Sequence, residues 1–283
     1  MSIVVNHLTF AYTEGGKKLP PTLNDLHFTI EEGEFLGIIG HTGSGKSTFV
    51  KHLNGLIPSE KGVVTVDGHD LSDKKERKIV RSLVGMVFQY PEYQLFAETV
   101  RDDIAFGPKN MKCTEEEIDQ RVRKAMELVG LEYDRFSGRS PFELSGGERR
   151  RAAIAGVLAM EPKYLVLDEP MAGLDPSGRE EILSLLEKLR TENGCTIIMI
   201  SHSMDDIARH ATKVLVLEHG AEFLLDTPQN VFSHVEALEQ IGLSVPSVTK
   251  ICIEMNRRGV DIPKTICTEN ALLHWFMEGR KHA

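Results

Sequence analysis

Gly40-His41-Thr42-Gly43-Ser44-Gly45-Lys46-Ser47 spells G-x-x-x-x-G-K-[ST], the spacing of a loop that wraps a phosphate tail. Glycines let successive backbone N–H groups approach phosphate oxygens, and Lys46 adds a point charge. The helix continuing through Thr48 presents the positive end of its dipole to the same anion. Gly40, His41, Thr42, Gly43, Ser44, Gly45, Lys46, Ser47 and Thr48 are therefore the candidate nucleotide-binding residues, and the expected ligand is a nucleoside triphosphate.

A second group of residues could act on that tail. The apolar run Leu165-Val166-Leu167 ends in Asp168-Glu169. Asp168 at a strand end could hold Mg2+ opposite the Ser47 hydroxyl, because this hard cation takes oxygen ligands and keeps several waters. Glu169 is left to orient or deprotonate the attacking water. Gln89, after Val84-Gly85-Met86-Val87-Phe88, offers a neutral amide that could reach the metal and its water. His202, after Thr196-Ile197-Ile198-Met199-Ile200, could contact the γ-phosphate. An acidic pair closing a strand and a lone histidine at a strand end are both common structural features, so these roles lean on the phosphate loop upstream.

A third device lies about a hundred residues after the first. In Leu144-Ser145-Gly146-Gly147-Glu148, the spacing Ser145-x-x-Glu148 is a capping box, and the two glycines expose N–H groups at a helix N-terminus. Two anion-binding devices so far apart do not both wrap one phosphate tail within one monomer. The second is expected to serve a nucleotide held by another subunit.

The elements that must carry these residues alternate. Phe35-Leu36-Gly37-Ile38-Ile39 reads as a buried strand leading into the phosphate loop, and Tyr164–Leu167, Thr196–Ile200 and Val214–Leu217 read likewise. Between the second and third of these, Ser177-x-x-Glu180 opens a helix with Ile182, Leu185, Leu186 and Leu189 on one face. Continuous apolar strands alternating with helices imply a mostly parallel sheet covered on both sides, with the nucleotide loop at its carboxyl edge. From Val4 to Ile30 apolar and polar residues alternate, which suggests antiparallel strands joined at Glu14-Gly15-Gly16-Lys17-Lys18. Val63–Val66 adds a further strand. A mostly helical insertion spans about 88–159 and includes the capping box Thr114-x-x-Glu117.

Composition agrees with an ordinary globular protein: 283 residues, 41% hydrophobic and 27% charged. A formal net charge of −9 argues against a nucleic-acid surface, leaving Lys74, Lys75, Arg77, Lys78 and Arg81 as a solvated helix face. Cys113, Cys195, Cys252 and Cys267 have neither metal-site nor disulfide-scaffold spacing, which fits a reducing compartment. No apolar run reaches the roughly 20 residues of a membrane span. Any work at a membrane is expected to proceed by docking.

The order of phosphate loop, Gln89, Leu144–Glu148, Val166-Leu167-Asp168-Glu169-Pro170, Gly173-Leu174-Asp175-Pro176 and His202 resembles the nucleotide-binding subunit of ATP-binding cassette (ABC) transporters over about residues 3–230. The resemblance implies a P-loop NTPase core of α/β class with an antiparallel β subdomain and a helical insertion. It also implies a head-to-tail dimer in which each ATP lies between one subunit's phosphate loop and the other's Ser145-Gly146-Gly147 turn. Tyr12 falls where this family stacks an aromatic ring on adenine; the alternative is an ordinary strand tyrosine. Glu148 stands in place of the commoner glutamine, and Met171 in place of the usual threonine or serine.

Phe88-Gln89-Tyr90-Pro91-Glu92-Tyr93-Gln94-Leu95-Phe96 and Thr99–Asn110 are similar to the ATPase subunits of energy-coupling factor (ECF) transporters. There the region forms a groove for coupling helices of a transmembrane protein, so the docking face is expected at Gln89–Phe106. Gly40-His41-Thr42-Gly43 and Ser140–Leu144 resemble one member of a paralogous ATPase pair, which implies a heterodimer. A membrane substrate-binding subunit would be an indirect partner, the location the cytoplasmic face of the membrane, and the cargo a vitamin or other micronutrient. A cobalt or nickel importer and a soluble nucleotide-dependent switch are the alternatives.

These readings divide the chain into a nucleotide-binding domain, 1–232, and a small helical C-terminal extension, 233–283. In the extension, Val248, Ile251, Cys252 and Met255 form one apolar face after Pro246, and Thr268 caps a helix carrying Leu272, Leu273 and Phe276. The expectation is that this tail strengthens the ATPase dimer.

Overall fold

The computed structural model describes residues 1–279, which form two compact units. The first comprises 1–6, 28–33 and 50–199; the second comprises 7–27, 34–49 and the chain from Ile200 onward.

In the first unit the strands Val84–Val87 and Tyr164–Asp168 pair in parallel, Val84 opposite Tyr164 and Val87 opposite Leu167. Every residue of both strands is buried, the pattern of a sheet covered on two faces. Thr196 N–H donates to Lys163 O at 2.9 Å, which starts the strand Thr196–Ile200 beside them. Ile3–Val5 pairs antiparallel with Val64–Val66, which pairs with His69–Asp70. Asp67, in the turn between the last two, takes a hydrogen bond from Tyr164 Oη at 2.6 Å and an ion pair from Lys163 Nζ at 2.8 Å.

The expected helical insertion is present as Val100–Asn110, Glu115–Leu128, Tyr133–Phe136 and Gly146–Leu158, after a single-turn 3-10 helix at Pro91–Gln94. Both capping boxes form. Thr114 and Glu117 exchange hydrogen bonds at 3.3 and 2.7 Å, and Ser145 and Glu148 do so at 3.3 and 2.8 Å. The helix Pro176–Asn193 buries Ile182, Leu185, Leu186 and Leu189 as its periodicity predicts. Its cap is different: Asp175, not Ser177, accepts from Gly178 N–H at 2.9 Å, because proline at the first helical position needs no N–H partner.

In the second unit Phe35–Ile39 runs parallel to Lys213–Glu218, and Ala221–Asp226 returns antiparallel to the latter. The Gly15-Gly16 turn closes the short hairpin Thr13–Glu14 with Lys17–Lys18, which lies in the connection between Ser2–Phe10 and Leu23–Glu31, neighbouring strands of one sheet as expected. The tail packs on itself: Val248, Cys252, Ile262 and Ile266 are buried with Met255, Ala271, Leu272 and Trp275 against them. Ser247 anchors it through N–H and Oγ to Asp205 Oδ1 and Oδ2, at 2.8 and 3.0 Å. Ile251, Leu273 and Phe276, expected on buried faces, are exposed, since the short helices Ser247–Arg257 and Glu269–Gly279 each turn only one narrow stripe inward. No helix of the described residues is long and apolar enough to cross a membrane.

Candidate functional site

The second unit carries the phosphate loop. Fully buried Phe35–Ile39 delivers the chain to Gly40, and the helix Lys46–Leu53 leaves from it. Gly43 and Gly45 sit at φ +84° and +99°, left-handed values that favour glycine. A Cβ on Gly45 would lie 2.6 Å from Thr22 O, so the loop's close wrap depends on that hydrogen. Lys46 Nζ, although buried, donates to Gly40 O at 2.7 Å and His41 O at 2.9 Å and so spans the loop. His41 Nδ1 pairs with Thr42 O at 2.8 Å.

Ser44 is fully buried, and its Oγ has no hydrogen-bond partner among the described residues. An unpartnered hydroxyl costs free energy unless a ligand oxygen completes it, which fits a phosphate in this loop. Ser47 is exposed on the first helical turn. Tyr12 is half-exposed; its hydroxyl hydrogen-bonds Thr48 Oγ1 at 3.2 Å and its ring meets Phe10 edge-on at 4.9 Å. That contact leaves ring surface at the loop for a base to stack on. His202 follows the strand Thr196–Ile200 and is exposed, and Ser201 N–H donates to Ile38 O at 3.4 Å, which sets this segment beside the strand entering the loop.

The first unit carries the carboxylates. Asp168 ends its strand buried, and Glu169 follows at φ +51°. A left-handed non-glycine residue is strained, and such strain collects at functional sites. Gln89, two residues past the last residue of its strand and exposed, donates from Nε2 to Glu169 Oε2 at 3.3 Å. Ser145, Gly146 and Gly147 form an exposed turn at the start of Gly146–Leu158. The Ser145 backbone N–H holds the Glu148 carboxyl below its usual range, so Glu148 is an anion at neutral pH.

Beyond Gln89 the chain presents Tyr93 at 84% and Phe96 at 61% exposure. Phe96 stacks edge-on with exposed Phe106 at 5.0 Å. Together with Lys78, Arg81, Gln94 and Met160 they line an open groove of about 680 Å3.

Sequence reasoning missed Arg150 and Glu92. Arg150 is 3% exposed and ion-paired to Glu92 at 3.3 Å. Helical spacing carried the signal, because Arg150 shares a face with buried Ala153, Ile154 and Val157.

The sequence pattern of the ABC transporter family matches residues 23–172. A relative from Caldanaerobacter subterraneus subsp. tengcongensis, the energy-coupling factor transporter ATP-binding protein EcfA2, is 51% identical over the full length of both chains. The protein of the same name from Clostridium perfringens is 51% identical over 95% of this chain and 94% of its own. Among solved structures, CbiO1 from Clostridium perfringens, described as part of the ABC transporter complex CbiONQ, superposes with a TM-score of 0.73 at 36% identity, covering 90% of this chain and 98% of that one. The ATP-binding cassette MJ0796, a dimer in a post-hydrolysis state bound to ADP and Pi, gives 0.71 at 29% identity, covering 80% and 98%.

Proposed function

This chain belongs to the ABC transporter family, and from that premise we propose that it is the ATP-hydrolysing subunit of an energy-coupling factor importer. The observation that carries the reading is the Gln89–Glu169 hydrogen bond: Gln89 is both the partner of the carboxylate and the start of the segment that displays Tyr93 and Phe96. A docked protein that shifts this segment would alter the amide's hold on Glu169.

In this reading Gly40–Thr48 binds the ATP triphosphate, with Ser44 Oγ completed by a phosphate oxygen and Tyr12 stacked on the base. Ser47, Gln89 and Asp168 would hold Mg2+ through oxygen, the hard donor type this ion takes. Bound Mg2+ would offset the negative charge that builds on the transferring phosphoryl oxygens. Glu169 accepts the proton of the attacking water, Gln89 holds Glu169 and the water in register, Lys46 steadies the β- and γ-phosphates, and His202 contacts the γ-phosphate.

The ATPase works as a dimer. Ser145-Gly146-Gly147 and Glu148 of each subunit close over the nucleotide of the other, and the mate is a paralogue rather than a second copy. Closure and opening shift a transmembrane coupling protein seated on the groove around Phe96 and Phe106, at the cytoplasmic face. A small membrane subunit selects the cargo, a vitamin or similar micronutrient. The tail, with Ile251, Leu273, Phe276 and Met277 exposed, joins the contact between ATPase subunits.

Purifying membranes through a tag on this chain tests the reading. The expected assembly holds a second cassette ATPase, an integral coupling protein and a small substrate-binding membrane protein. Recovery of the chain from the soluble fraction with none of them would refute transport.

A further inference from the structure

Arg150 holds two chain segments with one buried guanidinium. Its Nη1 donates to Ala172 O at 2.6 Å and to Pro170 O at 3.4 Å. Its Nε and Nη2 donate to Glu92 Oε2 and Oε1 at 3.3 and 3.4 Å. The first segment is the turn leaving Glu169, and the second is the turn leaving Gln89. Each begins at a strained residue, since Glu169 has φ +51° and Tyr90 has φ +57°. Left-handed non-glycine residues persist only where their surroundings over-determine them. Arg150 also lies one helical turn past Gly146 and Gly147, on the same helix.

A buried ion pair adds little net stability compared with apolar side chains of the same volume, so stability is a poor reason for charge at this position. What an apolar side chain could not supply is the fork, which reaches two carbonyls and a carboxylate in fixed directions. We propose that Arg150 is a positioning residue for ATP hydrolysis: paired with Glu92, it ties the Gln89 and Glu169 turns to the helix Gly146–Leu158, so that the 3.3 Å Gln89–Glu169 contact forms in step with that helix. This deepens the function given above and rests on Glu169 being the base.

The test is steady-state ATP hydrolysis by the intact transporter assembly whose other ATPase subunit is hydrolysis-dead, carrying Glu92→Gln, Arg150→Lys, or both in this chain. Glu92→Gln keeps shape and acceptor while removing charge, which guards against simple misfolding. Each single change is expected to lower kcat about tenfold and leave KM for ATP within about twofold. The double variant is expected within about twofold of the poorer single, because both act through one contact. Unchanged kcat per folded molecule with only a lower melting temperature would overturn the proposal. So would a raised KM with unchanged kcat, or a double variant showing the full product of the single losses. Near wild-type turnover by Glu169→Gln would instead remove the base assignment, so the two failures are read in different proteins.

Discussion

Gln89 Nε2 donates to Glu169 Oε2 at 3.3 Å, joining two residues 80 positions apart. The contact puts a neutral amide on the carboxylate expected to activate water, without adding a charge that would compete for its proton. Replacing Gln89 by alanine should lower kcat about tenfold to a hundredfold and leave ATP affinity nearly unchanged, because the amide acts on geometry rather than on nucleotide binding. Turnover and nucleotide titration on the same preparation check this; a weakened affinity with normal kcat would contradict it.

Tyr93 and Phe96 are among the most exposed aromatic side chains described. Changing both to alanine removes apolar contact area and leaves no core cavity. The double variant should melt within about 2 °C of the parent, as surface changes usually do, yet lose co-purification with the membrane coupling protein. Retained co-purification would move the docking face elsewhere.

His52 is 1% exposed on the helix Lys46–Leu53, and burial pushes its imidazole down from 6.5 to about 4. The unfolded chain therefore binds this proton more readily than the folded one between those values. Stability from neutral His52 is fully present above pH 6.5 and is lost as pH falls toward 4, by about 2 kcal/mol between pH 7 and 5. Urea unfolding at the two pH values should show this loss in the parent and much less of it in His52→Leu. Equal losses in both proteins would contradict it.

The tail's exposed Ile251, Leu273, Phe276 and Met277 lie on helices that already bury one stripe against Val248, Cys252, Ile262 and Ile266. Ending the chain before residue 234 should weaken association of the two ATPase subunits about tenfold or more, measured by analytical ultracentrifugation. Unaltered association would confine the tail to packing within its own subunit.

Features that depend on neighbouring residues were readable from the chain alone. The phosphate loop, both capping boxes and the apolar strands are set by hydrogen bonds or burial periods spanning a few residues. What escaped was set at long range. Arg150 meets Glu92 across 58 positions and Tyr164 meets Asp67 across 97, and no local pattern pairs them. Local competition caused the smaller misses: Asp175 capped the helix ahead of Ser177, and Leu273 and Phe276 lost the inward stripe to Leu272 and Trp275. The order of Gln89, Asp168, Glu169 and His202 along the chain was enough to propose roles for them, while the strain at Glu169 was not legible, since backbone conformation at one non-glycine residue leaves no mark on composition.

In the proposed dimer two cassettes complete each other's pockets around ATP. Mixing the Glu169→Gln protein with its paralogous mate and ATP without Mg2+, then measuring mass by sedimentation, tests it directly. The expected result is a stable pair that forms only with ATP and comes apart when the nucleotide is removed. Separate single subunits at saturating ATP would contradict it.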